Sequence, residues 1–196
     1  MPRRTPEDAA KTRETILDAG LRVFAELGFA AAQLEEIAKR AGVTRGAFYH
    51  HFTNKADLYG AILRERWTSV MAPVLDVLCT EGEPAAKIHG FVASFLRAVQ
   101  TDPQMQALMQ MSLSGDLSLP DFRDDAGIAH KQGALEELTI SLAKVLEAAG
   151  HSADALDRAR TIVIFLNGAA VSATLHPASV SAAPERLAAL FLDGVL

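Results

Sequence analysis

Residues 28–55, GFAAAQLEEIAKRAGVTRGAFYHHFTNK, constrain the fold of this chain more than any other stretch. Its first half repeats apolar residues at helical spacing, at Leu34, Ile37, Ala38 and Ala41. Gly42 then supplies the backbone freedom that a sharp turn needs, and Thr44 is a good N-cap for a second helix. Two short helices joined by so tight a turn predict a helix-turn-helix motif.

The second helix of this motif carries its polar and basic side chains on one side. Val43, Ala47 and Phe48 are predicted to face the core, which leaves Arg45, Gly46, Tyr49 and His50 on the outer face. The planar guanidinium fork of Arg45 suits the O6 and N7 acceptors of guanine, and a small residue at 46 lets a helix lie close to a groove. The pattern therefore predicts a recognition helix that enters the major groove of DNA.

A longer match surrounds the motif. From Thr12 to Leu58 the chain reads TRETILDAGLRVFAELGF and then, after a short gap, LEEIAKRAGVTRGAFYHHFTNKADL. The order of a first helix, IA-xx-AGV, Y-x-HF and K-x-x-L closely resembles the DNA-binding domain of the TetR family of bacterial transcriptional regulators, over about a quarter of the chain. Within that family, AGVTRGAxYxHF is most similar to the AcrR-type local repressors of multidrug efflux genes.

The rest of the chain also reads as helical. Helices are predicted over residues 6–27, 55–79, 85–99, 105–113, 122–149 and 153–175 and from 184 onward, without a strand-like alternation. We therefore predict an all-α fold, with an N-terminal three-helix DNA-binding domain at 1–54 and a C-terminal helical domain at 55–196. The family resemblance implies that the second domain binds a small effector and forms a homodimer through its last two long helices.

Nine residues are candidates for contact with DNA. The resemblance implies phosphate contacts for Tyr49 and His51, while Lys55, beside the groove, is expected to bind a phosphate as a point charge. Thr44 either caps alone or also contacts a phosphate, and Ala47 is either core or touches a thymine methyl. The family usually carries Ser or Thr just before the second helix, where this chain has Ala32 and Gln33. Gln33 is expected either to cap that helix weakly or to reach a phosphate. The full set is Gln33, Thr44, Arg45, Gly46, Ala47, Tyr49, His50, His51 and Lys55.

Candidate residues for the effector pocket are large apolar side chains and one amide. Pockets in helical bundles are mostly apolar with few polar anchors, and methionine adapts to irregular ligands. Asn167 interrupts an apolar helix, so it is expected either to anchor a ligand or to pair across a dimer; each of the others is alternatively a core residue. The set is Trp67, Met71, Phe91, Phe95, Met105, Met109, Phe165 and Asn167.

A second set is predicted to form the dimer interface. Small residues in the helix around 162–173 permit close helix approach, as an intersubunit four-helix bundle requires. The alternative is an ordinary core within one chain. The predicted interface residues are Ile162, Leu166, Ala170, Leu187, Leu190 and Phe191.

Charge and composition agree with a DNA-binding protein of this layout. The formal net charge is −5, but residues 1–60 carry +1 and the remainder carries −6, so the acidic charge lies away from the predicted DNA face. The single cysteine excludes an internal disulfide and a paired-cysteine zinc site. No apolar run is long enough to cross a bilayer and the N-terminus is charged, so a cytoplasmic location is expected.

The predicted function is a ligand-responsive repressor that acts on a palindromic DNA operator and controls efflux or related genes. The alternatives are a TetR-type activator or a regulator of metabolic genes and, more remotely, an all-helical enzyme or a binding module without DNA affinity. The sequence has no HExxH, no GxSxG and no glycine-rich phosphate loop, so no catalytic site is predicted. No cofactor is predicted. No metal site is predicted either, because the adjacent His50 and His51 point about 100° apart on a helix and so rarely bind one ion together. The expected partners are double-stranded DNA, a small and largely apolar effector, and a second copy of the chain, with no membrane.

Overall fold

A computed structural model describes residues 5–114, 126–176 and 183–196 of the chain. Within these ranges the chain forms nine α-helices and no strand, which confirms the all-α prediction. The helices are α1 Pro6–Ala31, α2 Leu34–Arg40, α3 Arg45–Tyr49, α4 Lys55–Cys79, α5 Pro84–Thr101, α6 Pro103–Ser114, α7 Ala126–Ala148, α8 Ala155–Leu175 and α9 Pro184–Leu192. The predicted start of the seventh helix, at residue 122, lies outside the described residues.

The described residues divide into two compact units. The head unit comprises residues 5–67 with 110–114 and 126–130, and the body unit comprises residues 68–109 with 131–176 and 183–196. The division along the chain first falls inside α4, between Trp67 and Thr68. The functional boundary predicted at residues 54 and 55 remains a prediction.

Gly28 interrupts α1 and redirects the chain. Its φ of 73° lies in the left-handed region that favours glycine, as expected for a residue that ends a helical stretch. The redirected chain brings Phe29 back onto the core, where its ring stacks on Phe24 at 5.8 Å and meets Tyr59 edge-on at 5.5 Å. Phe29 thereby takes the place that the helical period gives to Leu27. Helical spacing from Val23 and Phe24 predicts a core position for Leu27 as well, but that side chain is 48% exposed.

Helix α1 packs closely on the first half of α4. A Cβ built on Gly20 would lie 2.9 Å from Leu58 Cδ2 and 3.0 Å from Ile62 Cδ1. The missing side chain therefore lets the two buried residues of α4 occupy that space. This close approach explains why glycine is accommodated at position 20, and it offsets the unfavourable helix propensity of glycine.

An ion pair also joins α1 to α4. The Arg13 guanidinium donates to both carboxylate oxygens of Glu65, at 2.5 and 2.6 Å, and it lies 5.1 Å from the centre of the Phe52 ring. Hydrogen bonding from Arg13 lowers the pKa of the Glu65 carboxyl below its usual value. Because both side chains are about one-third exposed, solvent screening limits what the pair adds to stability.

In the body unit, α5 packs against α8 and α9. Ile88, Phe91, Val92, Leu96 and Val99 of α5 are buried along one face. Ile162, Leu166 and Ala170 of α8 are buried within the same chain. The prediction that these three residues form the dimer interface is therefore corrected, because α8 presents them to its own core.

The opposite side of α8 is exposed and apolar. Ile164 is 71% exposed, Leu175 is also exposed, and Leu190 of α9 is 64% exposed. Leu187 is half-buried, and Phe191 stacks on Phe165 of its own chain with ring centres 3.8 Å apart. Of the predicted interface residues, Leu190 is the one whose exposure best suits contact with a second copy.

The predicted pocket residues are mostly buried. Trp67 is buried in the head unit, and the body unit buries Met71, Phe91, Phe95, Met105 and Met109. Asn167 is exposed, and its amide donates to Val163 O one turn earlier at 2.9 Å. Of the two roles expected for Asn167, pairing across a dimer suits an exposed side chain better, and both roles stay predictions. Among the described helices, none is long and apolar enough to span a membrane.

Candidate nucleic-acid interface

The turn between α2 and α3 is fixed by Gly42. This residue has a φ of 68°, and its N–H donates to Lys39 O at 3.1 Å. The Val43 N–H donates to Ala38 O at 3.0 Å, which completes a Schellman motif at the end of α2. The two bonds satisfy carbonyl groups that the helix end would otherwise leave unpaired, and they set the direction in which α3 leaves the turn.

Thr44 starts α3 as predicted. Its Oγ1 accepts a hydrogen bond from the Ala47 N–H at 3.1 Å, so the hydroxyl serves as the N-cap. Ala47 and Phe48 are buried, and the Phe48 ring packs on Phe52 with centres 5.8 Å apart. Because Ala47 is buried, the structure assigns it to the core, which corrects its candidacy for contact with a thymine methyl.

The outer face of α3 is open to solvent. Arg45, Gly46, Tyr49 and His50 are all exposed, and 43% of Tyr49 is accessible. A Cβ built on Gly46 meets no atom within 4 Å. The Tyr49 ring is braced from inside by Phe48, which meets it edge-on at 5.6 Å. Four of the predicted residues thus share one exposed face, on a helix whose other side is anchored in the core.

Arg45 has two neighbours on this face. Its guanidinium lies 5.7 Å from the centre of the Tyr49 ring, and its Nη1 forms an ion pair with Glu35 Oε1 of α2 at 3.1 Å. Hydrogen bonding with the Tyr49 side chain, and then the charge of Glu35, raise the pKa of the Arg45 guanidinium above its usual value. Glu35 was not among the candidates from sequence, because helical spacing pairs it with Lys39, four residues on.

Helix α2 is held by another arginine. Arg40 Nη1 contacts Glu26 of α1 at 2.6 Å, and its Nε contacts Glu36 at 2.8 Å. Gln33 lies at the N-cap position of α2 with an extended backbone, and its side chain makes no capping hydrogen bond. The weak cap expected of Gln33 is therefore not formed, and a phosphate contact stays a prediction for this exposed residue.

Lys55 has a structural role that the sequence did not reveal. Its Nζ donates to Ala30 O at 3.2 Å and to Ala32 O at 3.1 Å, and it lies 4.5 Å from the centre of the Phe29 ring. The ammonium group thus ties the start of α4 to the last turn of α1 and to the residue that follows it. An ammonium group has three N–H donors, so one is left for the predicted phosphate contact.

We expect Lys55→Met to lower the stability of the head unit by about 1–2 kcal/mol, because two charge-assisted hydrogen bonds and a cation–π contact are lost. If the third donor binds a phosphate, the plot of log affinity for DNA against log salt concentration also becomes shallower, by about 0.9 for each subunit. Thermal unfolding and salt titration measure the two effects separately. Lys39→Met, which removes an exposed lysine of α2, is the matched control.

An unchanged unfolding temperature in Lys55→Met would contradict the structural role. An unchanged salt slope would contradict the phosphate contact, while leaving the structural role intact.

The remaining predicted residues follow α3 directly. Asn54 caps α4, because its Oδ1 accepts a hydrogen bond from the Asp57 N–H at 2.8 Å. His50 is exposed at the end of α3, and His51 is half-buried with its ring centre 6.5 Å from that of Phe52. Across the part of the chain that the structure describes, no three His, Cys, Asp or Glu side chains are grouped as a metal site requires.

Comparison with known proteins agrees with this geometry. The profile of the bacterial regulatory proteins of the tetR family matches residues 16–62, which include α2, α3 and the first turns of α4. The HTH-type transcriptional regulator AcrR of Shigella flexneri is 35% identical over 112 residues, which are 57% of this chain and 52% of AcrR. The match thus spans about half of the length of AcrR.

Solved structures resemble the chain over nearly its full length. NalD, the secondary repressor of the MexAB-OprM multidrug efflux pump in Pseudomonas aeruginosa, superposes with a TM-score of 0.76 at 21% identity, covering 96% of each chain. At that identity the likeness shows the fold alone. SmeT in complex with triclosan has a TM-score of 0.72 at 27% identity, covering 94% of this chain and 90% of SmeT. Residues 16–62 are therefore similar to the DNA-binding domain of the tetR family of bacterial regulatory proteins, and the longer match of 112 residues is to a regulator of the AcrR type.

Proposed function

We propose that this chain is a homodimeric, ligand-responsive transcriptional repressor that binds a palindromic DNA operator. The observation that carries the proposal is the outer face of α3. Arg45, Gly46, Tyr49 and His50 are exposed together on a helix that is capped by Thr44 and anchored by Phe48. A short helix of this kind offers bidentate donors to base edges and a hydroxyl to a phosphate, as a recognition helix does.

Dimerisation follows from the need for affinity. One α3 helix offers few cationic groups to neutralise phosphates, and residues 1–60 carry a net charge of only +1. Two copies bind two half-sites one helical turn or a multiple of it apart, and the operator is then palindromic. The exposed apolar residues Ile164 and Leu175 of α8 and Leu190 of α9 are the surface that a second copy would cover.

The effector is proposed to be small and largely apolar. The body unit buries Met71, Met105 and Met109 with Phe91 and Phe95, and such side chains accommodate apolar ligands. SmeT was solved with triclosan, and NalD is a repressor of a multidrug efflux pump. By likeness to them, control of an efflux operon is the preferred role of this chain, and a cytoplasmic location follows from a DNA partner.

The switch is proposed to work through α4, which runs continuously from Lys55 to Cys79. An effector that favours a head spacing unsuited to the operator weakens binding to both half-sites at once. A 100-fold release needs about 2.7 kcal/mol of coupling between effector and DNA. By linkage, the effector must then bind about 100-fold more weakly to the operator complex than to the free protein.

Gel retardation with the DNA upstream of the gene tests the proposal. We expect salt-sensitive retardation that unrelated DNA does not compete away, two copies per operator by sedimentation, and release by an apolar compound that is exported by the regulated pump. Tyr49→Ala should abolish the sequence-specific complex while leaving the circular dichroism spectrum unchanged. Retention of specific binding by Tyr49→Ala, or equal effector affinity with and without operator, would contradict the proposal.

A further inference from the structure

The ion pair between Glu35 and Arg45 lies on the surface that is proposed to face DNA. Glu35 is the second residue of α2, and Arg45 is the first residue of α3. Their side chains are 58% and 68% exposed, and they meet at 3.1 Å through Arg45 Nη1. The guanidinium is also near the Tyr49 ring, so Arg45 is held between an acid and an aromatic ring.

An acid in the first turn of α2 is favoured by the helix dipole, but Glu36 in the same turn has that advantage too, and it does not account for the contact of Glu35 with Arg45. Exposed ion pairs contribute little to folding, and the path from α2 to α3 is already fixed by the hydrogen bonds of Gly42 and Val43. A carboxylate beside the phosphates of DNA also lowers affinity for every sequence. Its presence is explained if it acts on Arg45 while DNA is bound.

The geometry of the pair leaves the reading edge of Arg45 available for a base. The contact with Glu35 is made by Nη1, whereas Nε and Nη2 form the other edge of the planar guanidinium. Two donors on that edge match the O6 and N7 acceptors of guanine. In the interface, where water is partly excluded, the attraction between Glu35 and Arg45 strengthens and holds the guanidinium plane in one orientation.

We propose that Glu35 is a positioning residue that makes Arg45 selective for guanine. An Arg45 tied to Glu35 does not turn to a nearby phosphate when the base in front of it is wrong. A base other than guanine then leaves at least one donor on the free edge of Arg45 unpaired. This inference rests on the proposed function, since it concerns how the same face of α3 reads DNA.

Paired alanine substitutions on α2 test the inference. Glu35→Ala and Glu36→Ala each remove one negative charge from neighbouring positions of the same helix, and alanine favours the helix. Glu36 contacts Arg40 and not Arg45. The operator is first selected by the wild-type chain from random duplex DNA, and affinities are then measured for it and for a version with the guanine facing Arg45 replaced in both half-sites.

We expect both variants to bind non-specific DNA more tightly than the wild type. Only Glu35→Ala should lose discrimination between the two duplexes, by about 5-fold or more, since one good bidentate contact accounts for about that much selectivity. In the Arg45→Ala background, Glu35→Ala should cause no further loss of discrimination, because the two residues act as one unit.

The outcomes separate this inference from the proposed function. If the wild-type chain enriches no sequence, the proposed function fails and the inference fails with it. If the wild type selects an operator and Glu35→Ala discriminates as well as Glu36→Ala, the inference alone is refuted. The inference would also be refuted if Glu35→Ala reduced discrimination between the two duplexes as much in the Arg45→Ala background as in the wild type, because Glu35 would then act without Arg45.

Discussion

Replacement of Gly46 with Gln is expected to weaken operator binding at least about 100-fold while leaving the fold at least as stable as in the wild type. Gly46 lies on the exposed face of α3, without a positive φ, and a Cβ built there meets no atom within 4 Å. The fold therefore does not require glycine, and a better helix former is expected to stabilise α3 by about 0.5–1 kcal/mol. On DNA, a long side chain at 46 stands between the helix and the base edges, and it prevents Arg45 and Tyr49 from reaching their partners together.

Gly133→Gln is the matched control for this prediction. Gly133 lies exposed on α7 of the body unit, where a Cβ also meets no atom within 4 Å. Both variants should unfold at or above the wild-type temperature, and only Gly46→Gln should lose operator affinity in a titration. Wild-type affinity in Gly46→Gln would show that the exposed face of α3 does not approach DNA closely.

Replacement of Phe24 with Ala is expected to destabilise the head unit by about 3–5 kcal/mol, a large part of the stability of a small domain. Phe24 is fully buried, and its ring meets Tyr59 edge-on at 5.3 Å and stacks on Phe29 at 5.8 Å. Truncation leaves a cavity under Phe29, the residue that follows the break at Gly28. The segment leading into α2 then loses its anchor, so operator binding should fall as the head unit unfolds.

The fluorescence of Trp67, the one tryptophan of the chain, reports on this unit. Its thermal transition should shift down by roughly 10–20 °C in Phe24→Ala. Leu27→Ala removes a large apolar side chain from the same helix, but from an exposed position, and should change stability by no more than about 0.5 kcal/mol. If Phe24→Ala and Leu27→Ala lowered the unfolding temperature equally, the rings of Phe24, Phe29 and Tyr59 would not be the centre of the head core.

Local signals in the sequence were sufficient for the helix-turn-helix. Gly28 and Gly42 both adopt a positive φ, and Thr44 and Asn54 both cap the helices that follow them. These features depend on residues within a few positions of each other, where backbone sterics and capping decide the conformation. The same locality explains why the exposed face of α3 could be named in advance.

Contacts between distant residues could not be obtained in this way. Helical spacing places Leu27 in the core, but the kink at Gly28 lets Phe29 pack there instead. The spacing also pairs Glu35 with Lys39, whereas the angle between α2 and α3 brings Arg45 to it. In both cases the result depends on how the turn directs the next segment, which a single periodic pattern does not encode.

Helix α8 shows a further limit. Its second half is apolar nearly all round, so the helical period does not tell which face meets the core of its own chain. Packing against α5 buries Ile162, Leu166 and Ala170 and leaves Ile164 and Asn167 outside. The predicted interface residues were therefore taken partly from the wrong side of the helix.

Methylation interference on the selected operator tests most directly whether α3 reads the major groove. A methyl group at guanine N7 lies in that groove and blocks an arginine that binds O6 and N7. We expect methylation of one guanine in each half-site to prevent binding of the wild-type chain, and to have no effect on the residual binding of Arg45→Ala. Interference at the same guanines that is unchanged in Arg45→Ala, or that occurs only at minor-groove positions, would contradict a recognition helix at residues 45–49.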